Sequence, residues 1–164
     1  MTQATSNVQP KVFTWPVRIY WEDTDAGGIV FYANYLKFME RARTEWLRAL
    51  GVDQSQLRAQ TGGMFVVTDT QLKYHSPARL DDQLLVTARG TKKTSITLTI
   101  AQEIRLLPHR ISREQLSNNE RPIINTDELS ALPLVCQGSI RIAWVDIAAM
   151  KPARIPQHLL EILE

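Results

Sequence analysis

Asn34-Tyr35-Leu36-Lys37-Phe38-Met39-Glu40-Arg41-Ala42-Arg43-Thr44-Glu45-Trp46-Leu47-Arg48-Ala49-Leu50-Gly51 is the stretch that decides the fold. Tyr35, Phe38, Met39, Ala42, Trp46, Ala49 and Leu50 recur at helical spacing and form one broad apolar stripe, which predicts a long helix over about 33–50. Asn34 or a nearby loop residue is the expected cap at its start, and Gly51 stands where a C′ glycine ends a helix. Arg41 and Glu45, four apart, are placed to pair on the wet face. An amphipathic helix must bury its stripe against another layer, and the chain beyond Gly51 supplies one in a series of strands.

Downstream, Met64–Tyr74 is rich in β-branched and aromatic residues, and Ser76-Pro77-Ala78-Arg79 breaks the run. Gln83–Arg89 reads as a strand and Gly90-Thr91-Lys92-Lys93 as a turn. Ser95–Leu106 alternates clearly, with Ile96, Leu98 and Ile100 against Thr97, Thr99 and Ala101. Leu134–Val145 is a further strand, and the tail from about Pro156 to Leu163 is a short helix. Upstream, Phe13–Glu22 looks extended, with Val17, Ile19 and Trp21 alternating against Arg18 and Tyr20. One helix and a run of strands is the signature of an α+β protein built on an antiparallel sheet. Between the last two long strands, residues 108–133 form a polar stretch with Asn118-Asn119 and both charge signs. It reads as a solvated insertion, with a lid or docking arm as the alternative. Residues 1–11 are polar and read as a disordered leader, leaving 12–164 as a single domain.

The length of 164 residues fits one domain. With 44% hydrophobic and 22% charged residues the chain is ordinary globular material rather than a disordered one. A net charge of +2 argues against a dedicated nucleic-acid binder. The lone Cys136 forms no intrachain disulfide, offers no thiolate cluster for zinc and fits a reducing compartment. Apolar runs are too short for a membrane-spanning helix, and the N-terminus has no apolar secretory core. The expected location is the cytoplasm, with loose attachment to a membrane surface compatible with it.

Asp23-Thr24-Asp25-Ala26-Gly27-Gly28 is the informative loop. Two carboxylates stand two apart at the end of an extended segment, two glycines permit a sharp turn, and the chain then enters the long helix. The first turn of a helix presents unpaired N–H groups and a partial positive charge. A carboxylate beside such donors suits attack on an activated acyl group, with the amides holding charge that develops on the carbonyl oxygen. An ordinary side-chain-bonded turn and a metal loop share the same residues. Spacing alone leaves all three readings open.

Phe13-x-Trp15-Pro16-Val17-Arg18-Ile19-Tyr20, then Glu22–Val30, then Glu40-Arg41-Ala42-Arg43-Thr44-Glu45 resemble the hotdog-fold acyl-CoA thioesterases of the 4-hydroxybenzoyl-CoA thioesterase family. Within that family they are most similar to the branch encoded with the Tol–Pal envelope system. Ser76-Pro77-Ala78-Arg79-Leu80-Asp81-Asp82 and Lys151-Pro152-Ala153-Arg154 extend the likeness, which skips 108–133. The resemblance implies an antiparallel sheet wrapped around one long helix. It also implies side-by-side pairing of two chains with the site at their junction, as a homodimer or a homotetramer. It makes Asp25 the catalytic carboxylate, as general base or nucleophile, and the backbone N–H of Tyr32 the oxyanion donor. Gly27 and Gly28 keep bulk away from the thioester, and Lys92, Lys93 and Ser95 are the implied contacts for the CoA portion. CoA enters as part of the substrate, so no metal and no separate cofactor is expected. Two positions depart from the branch: many relatives carry histidine where this chain has Tyr32, and tyrosine where it has Trp21.

His75, His109 and His158 are scattered without metal spacing and read as structural or surface residues, although His75 lies in a segment that matches the family. Asp23 reads as a loop-ordering residue, and Glu40 and Glu45 as a wet helix face. The expectation is therefore hydrolysis of an acyl-CoA of undetermined acyl group. The alternatives are a non-catalytic module that binds acyl-CoA or acyl carrier protein beside the Tol–Pal machinery, and a hydratase or dehydratase on the same fold.

Overall fold

Five strands pair antiparallel into one curved sheet, in the order β1 (Phe13–Arg18), β3 (Gln83–Lys93), β4 (Thr97–Leu107), β5 (Leu134–Asp146) and β2 (Gly63–Tyr74). A two-residue strand, β6 (Lys151–Pro152), adds to the end of β5. The computed structural model describes residues 12–108 and 126–163. The expected leader, 1–11, and most of the insertion, 109–125, lie outside the described residues.

The long helix α1 (Asn34–Ala49) lies across one face of this sheet. Phe38, Met39 and Ala42 are fully buried, in one core with Leu84, Leu98, Ile100, Ile104 and Ile140. Tyr35 and Trp46 complete the buried stripe, while Ala49 is exposed and Leu47 takes the inward place expected of it. The period-2 pattern of β4 is what fits this layer, since Leu98, Ile100, Gln102 and Ile104 are all buried. Gln102 is the polar member of that face. Its amide donates to Met39 O and Thr87 O, both at 3.0 Å, and its Oε1 accepts from Arg43 at 2.8 Å. Helix and sheet approach closely at Gly138, where an added Cβ would stand 2.5 Å from Leu72 and 3.4 Å from Met39 Cε.

Several local expectations shift. β1 stops at Arg18, and Trp21–Asp23 form a 3-10 turn instead of continuing the strand. The Asp23 carboxylate imposes this by accepting Tyr20 N–H at 2.9 Å. Asn34 does not cap α1: no side chain caps the helix, and Asn34 Nδ2 donates to Asp23 O at 2.9 Å. Gly51 does terminate the helix, at φ +83°. Glu45 pairs with Arg48 rather than with Arg41. Gly90–Lys93 belong to β3, with a register irregularity between Gly90 and Lys92. The turn lies one step later, where Thr94 Oγ1 accepts Thr97 N–H at 2.9 Å. A second helix, α2 (Gln54–Thr61), went unforeseen. Asp53 caps its start by accepting Ser55 N–H and Gln56 N–H, and Gly62 ends it at φ +65°.

The end of the expected insertion is ordered. Helix α3 (Thr126–Ala131) buries Leu129 against Leu85 and Leu107. Leu85 stands between the inward-facing Leu84 and Val86, so this small cluster occupies the opposite face of the sheet from α1. Arg105 ties the helix down by donating to Leu132 O at 2.8 Å and to Glu103 Oε2 at 2.7 Å. The tail helix α4 (Gln157–Ile162) follows Pro156 and buries Leu159. Among the described residues no helix is long and apolar enough to cross a membrane.

Candidate active site

The Asp23–Gly28 loop and the entrance of α1 are built as one unit. Thr24 and Val30 form an isolated antiparallel bridge, and Asp25 N–H donates to Ile29 O at 2.9 Å. Asp23 O accepts Phe31 N–H and Asn34 Nδ2, both at 2.9 Å, so buried Asp23 and Asn34 fasten the loop to the first turn of the helix. Within the loop Gly28 N–H donates to Asp25 O at 3.0 Å, and Gly28 sits at φ +71°, which favours glycine. Gly27 N–H donates to Asp25 Oδ1 at 2.8 Å. An added Cβ at Gly27 would stand 3.0 Å from that same oxygen. Asp25 is exposed, and one of its carboxylate oxygens is pinned by this amide. Asp23 and Asp25 thus each serve a turn of their own, and no three potential ligands gather for a metal ion among the described residues.

Tyr32 closes this unit. Its side chain is 63% exposed, and its N–H has no acceptor among the described residues. Asn34 N–H returns to Phe31 O and Leu36 N–H to Ala33 O, so the helix enters through a tight turn with no acidic residue in its first turn. The amide therefore remains available to an oxyanion at the positive end of a helix of 16 residues.

Beside it lies an open cleft of about 360 Å³. Ile29, Val30, Tyr32 and Tyr35 form one side, and the segment Tyr74-His75-Ser76-Pro77 forms the other. Tyr74 Oη donates to Tyr32 O at 3.1 Å, joining the end of β2 to the helix entrance. Tyr35 packs edge-on against Phe38, and its hydroxyl accepts Ala78 N–H at 3.1 Å. Burial raises the pKa of both phenols, Tyr35 and Tyr74, so they stay protonated at neutral pH. Cys136 lies behind them, with burial pushing its thiol up to about 11, and it offers no nucleophile.

Of the residues singled out in the sequence, Tyr32 lines this cleft whereas Asp25, Gly27 and Gly28 do not, and Tyr35 and Tyr74 as cleft walls and Asn34 as the loop fastener were not foreseen. The signal for the walls was the Tyr74–Pro77 segment, which follows a strand as a break. Lys92, Lys93 and Ser95 are not brought to this cleft within one chain. They lie at the far end of β3 from Gln83, and Gln83 follows Asp82, whose O accepts Ile19 N–H beside the loop. An 11-residue strand separates them, roughly 33 Å. Lys93 Nζ donates to Leu160 O at 2.6 Å and helps to hold α4, Lys92 is exposed, and Ser95 O accepts Ile155 N–H.

Comparison with known proteins agrees with the fold. The family model described as the thioesterase superfamily matches residues 27–111. The acyl-CoA thioester hydrolase YbgC of Escherichia coli is 37% identical over 149 residues, covering 91% of this chain and 93% of that protein. The acyl-CoA thioesterase YbgC of Haemophilus influenzae is 34% identical over 147 residues, covering 90% of each. A solved 1,4-dihydroxy-2-naphthoyl-CoA thioesterase from Synechocystis superposes with a TM-score of 0.72 at 17% identity, over 93% of this chain and 95% of that one. That last likeness speaks for the fold. With a helix wrapped by an antiparallel sheet, a fastened Asp23–Gly28 loop at the helix entrance and relatives matched along nearly their whole length, the chain belongs to the thioesterase superfamily of hotdog-fold proteins.

Proposed function

We propose that this protein hydrolyses acyl-CoA thioesters to the free acid and CoA. The observation that carries the reading is the Tyr32 amide, which has no acceptor among the described residues and opens beside the cleft on the same fastened unit as the Asp25 carboxylate. The thioester carbonyl oxygen rests on Tyr32 N–H, where charge developing during attack meets a fixed donor and the helix end. Asp25 acts on the other side of the carbonyl carbon, either by taking a proton from water or by attacking the carbon itself to form a transient anhydride. Gly27 sets the height of its carboxylate. The acyl group lies among Ile29, Val30, Tyr35 and Tyr74. The matches to the two YbgC proteins support acyl-CoA as the substrate class.

We infer in addition that two copies pair through β2. This edge strand runs 12 residues, and Val67 and Tyr74 on it are 54% and 46% exposed. A long open edge is a template for a second strand. Lys92, Lys93 and Ser95 then reach the CoA phosphates from the second copy, and sedimentation velocity on the purified chain tests the pairing. Association with the Tol–Pal system goes with the reading on the resemblance alone.

The test is thiol release from a panel of short-chain, long-chain and aromatic acyl-CoAs, with wild type and Asp25→Asn side by side. The Asn side chain can still accept Gly27 N–H, so the loop holds while the carboxylate is lost. Turnover falls by about 10²–10⁴-fold. A folded Asp25→Asn variant with the wild-type rate overturns the assignment. A single turnover in ¹⁸O-water that leaves labelled oxygen in the Asp25 side chain identifies an anhydride opened at the Asp25 carbon, an outcome the general-base route does not produce.

A further inference from the structure

His75 lines the cleft together with Tyr32 and Tyr35 at the helix entrance, and the attack by Asp25 proposed above does not use it. It follows Tyr74, the last residue of β2, and its backbone is held firmly. His75 N–H and Ser76 N–H both donate to Val135 O, at 2.9 and 3.3 Å, and Ser76 Oγ donates to Leu134 O at 3.0 Å. One residue earlier, the hydrogen bond from Tyr74 Oη to Tyr32 O straps the end of the strand to the residue whose amide awaits the oxyanion. The His75 backbone is therefore anchored, and the residue lines the same cleft as Tyr32, whose amide opens there. The residue is exposed, and its imidazole engages no other side chain among the described residues. Its polar neighbours in the cleft are the phenols of Tyr32, Tyr35 and Tyr74 and the hydroxyl of Ser76, while no carboxylate and no cation lines the cleft among the described residues. Imidazole is the side chain in this lining that most often serves as a general acid. Asp25 serves the attack, which leaves the departing sulfur as the atom still in need of a proton.

We propose that His75 is the proton donor to the leaving CoA sulfur, a role that rests on the hydrolysis reading. The C–S bond breaks and its electron pair goes to sulfur. The imidazolium proton moves to that sulfur and gives the free thiol. Of the two protons of the water that supplies the new acyl oxygen, one stays on the acid and the other is taken by Asp25, from which it returns to the imidazole after the products leave. A thiolate already leaves moderately well without a proton, so the contribution lies at the low end of general acid catalysis, about 10²-fold.

The experiment pairs two substrates that share one acyl group, the acyl-CoA and the acyl nitrothiophenyl thioester, whose thiolate needs no proton to leave. His75→Gln and His75→Asn are measured in the full chain, with melting temperatures recorded. We expect kcat on acyl-CoA to fall about 100-fold in both variants and kcat on the nitrothiophenyl ester to fall less than about threefold, because only the first leaving group needs an acid. Equal losses on both substrates in either variant overturn the proposal, since a structural role would lower both, and wild-type turnover on acyl-CoA overturns it as well. Asp25→Asn run in parallel separates the two claims. If it hydrolyses at the wild-type rate, the hydrolysis mechanism itself fails, whereas an inactive Asp25→Asn beside a fully active His75→Gln removes only the role of His75.

Discussion

Replacing Gly27 by alanine moves one carboxylate and little else. The new Cβ stands 3.0 Å from Asp25 Oδ1, while an ordinary non-bonded separation is about 3.5 Å, so the carboxylate retreats by about 0.5 Å. The 2.8 Å hydrogen bond from Gly27 N–H is strained at the same time. A displacement of about 1 Å in a reacting group costs up to about 10²-fold in rate, so half that distance costs about tenfold, or about 1.4 kcal/mol of barrier. Gly27 is not among the glycines at positive φ, so alanine is sterically allowed there, and the less flexible unfolded chain contributes about 0.4–1 kcal/mol in its favour. The melting temperature should therefore stay within about 2–4 °C of wild type. Gly28→Ala is the counterpart. No atom lies within 4 Å of its added Cβ, but φ +71° strains any side chain by about 1–2 kcal/mol, so this variant loses stability first. Steady-state thiol release and thermal melts on both variants decide. Wild-type kcat in Gly27→Ala, with the fold intact, refutes the claim that the height of the Asp25 carboxylate sets the rate.

The packing yields three further expected outcomes. Asn34→Ala removes the buried donor to Asp23 O and should lower stability by about 1–3 kcal/mol, read by chemical denaturation, with turnover falling as the loop loosens. Cys136 keeps its proton in the fold to about 11, whereas the unfolded thiol ionises from about 9. The unfolded state thus binds fewer protons between those values, and stability falls as pH rises through that window; melts at pH 8 and pH 10 should show a smaller drop for Cys136→Ala than for wild type. Arg105→Ala frees Leu132 O and Glu103, so amide exchange across Thr126–Leu132 should speed up while exchange in α1 stays unchanged.

What could be read from the residues was what depends on a regular period. The stripe from Tyr35 to Trp46 and the alternation of Leu98, Ile100 and Ile104 record a face that meets a core, and α1 and β4 lie where those patterns put them. The loop was legible because carboxylates, glycines and a helix start stood together in the chain. What was hidden depended on partners distant in sequence. Asn34 looks like a cap until Asp23 O claims its amide, and Gly90–Lys93 look like a turn until β4 pairs along them. The lysines then fall at the far end of the sheet from Asp25, a separation no local spacing announces. The cleft itself is invisible in one dimension, because its two walls lie about forty residues apart and meet through the 42-residue span of the Tyr74–Tyr32 bond. Helix α2 was missed for a smaller reason: Asp53 and Gly62 were both present as caps and were not read as a pair.

The wall bearing His75 and Ser76 hangs on Leu134 and Val135, the first residues of the strand that emerges from the polar connection. That connection also leaves β4 at Leu107, paired with Gln83 at the same edge of the molecule as the loop. Substitution of Leu134 or Val135 thus shifts the mouth of the cleft through the backbone that carries His75 and Ser76. A library built at these two positions offers a way to retune selectivity while every reacting side chain stays untouched.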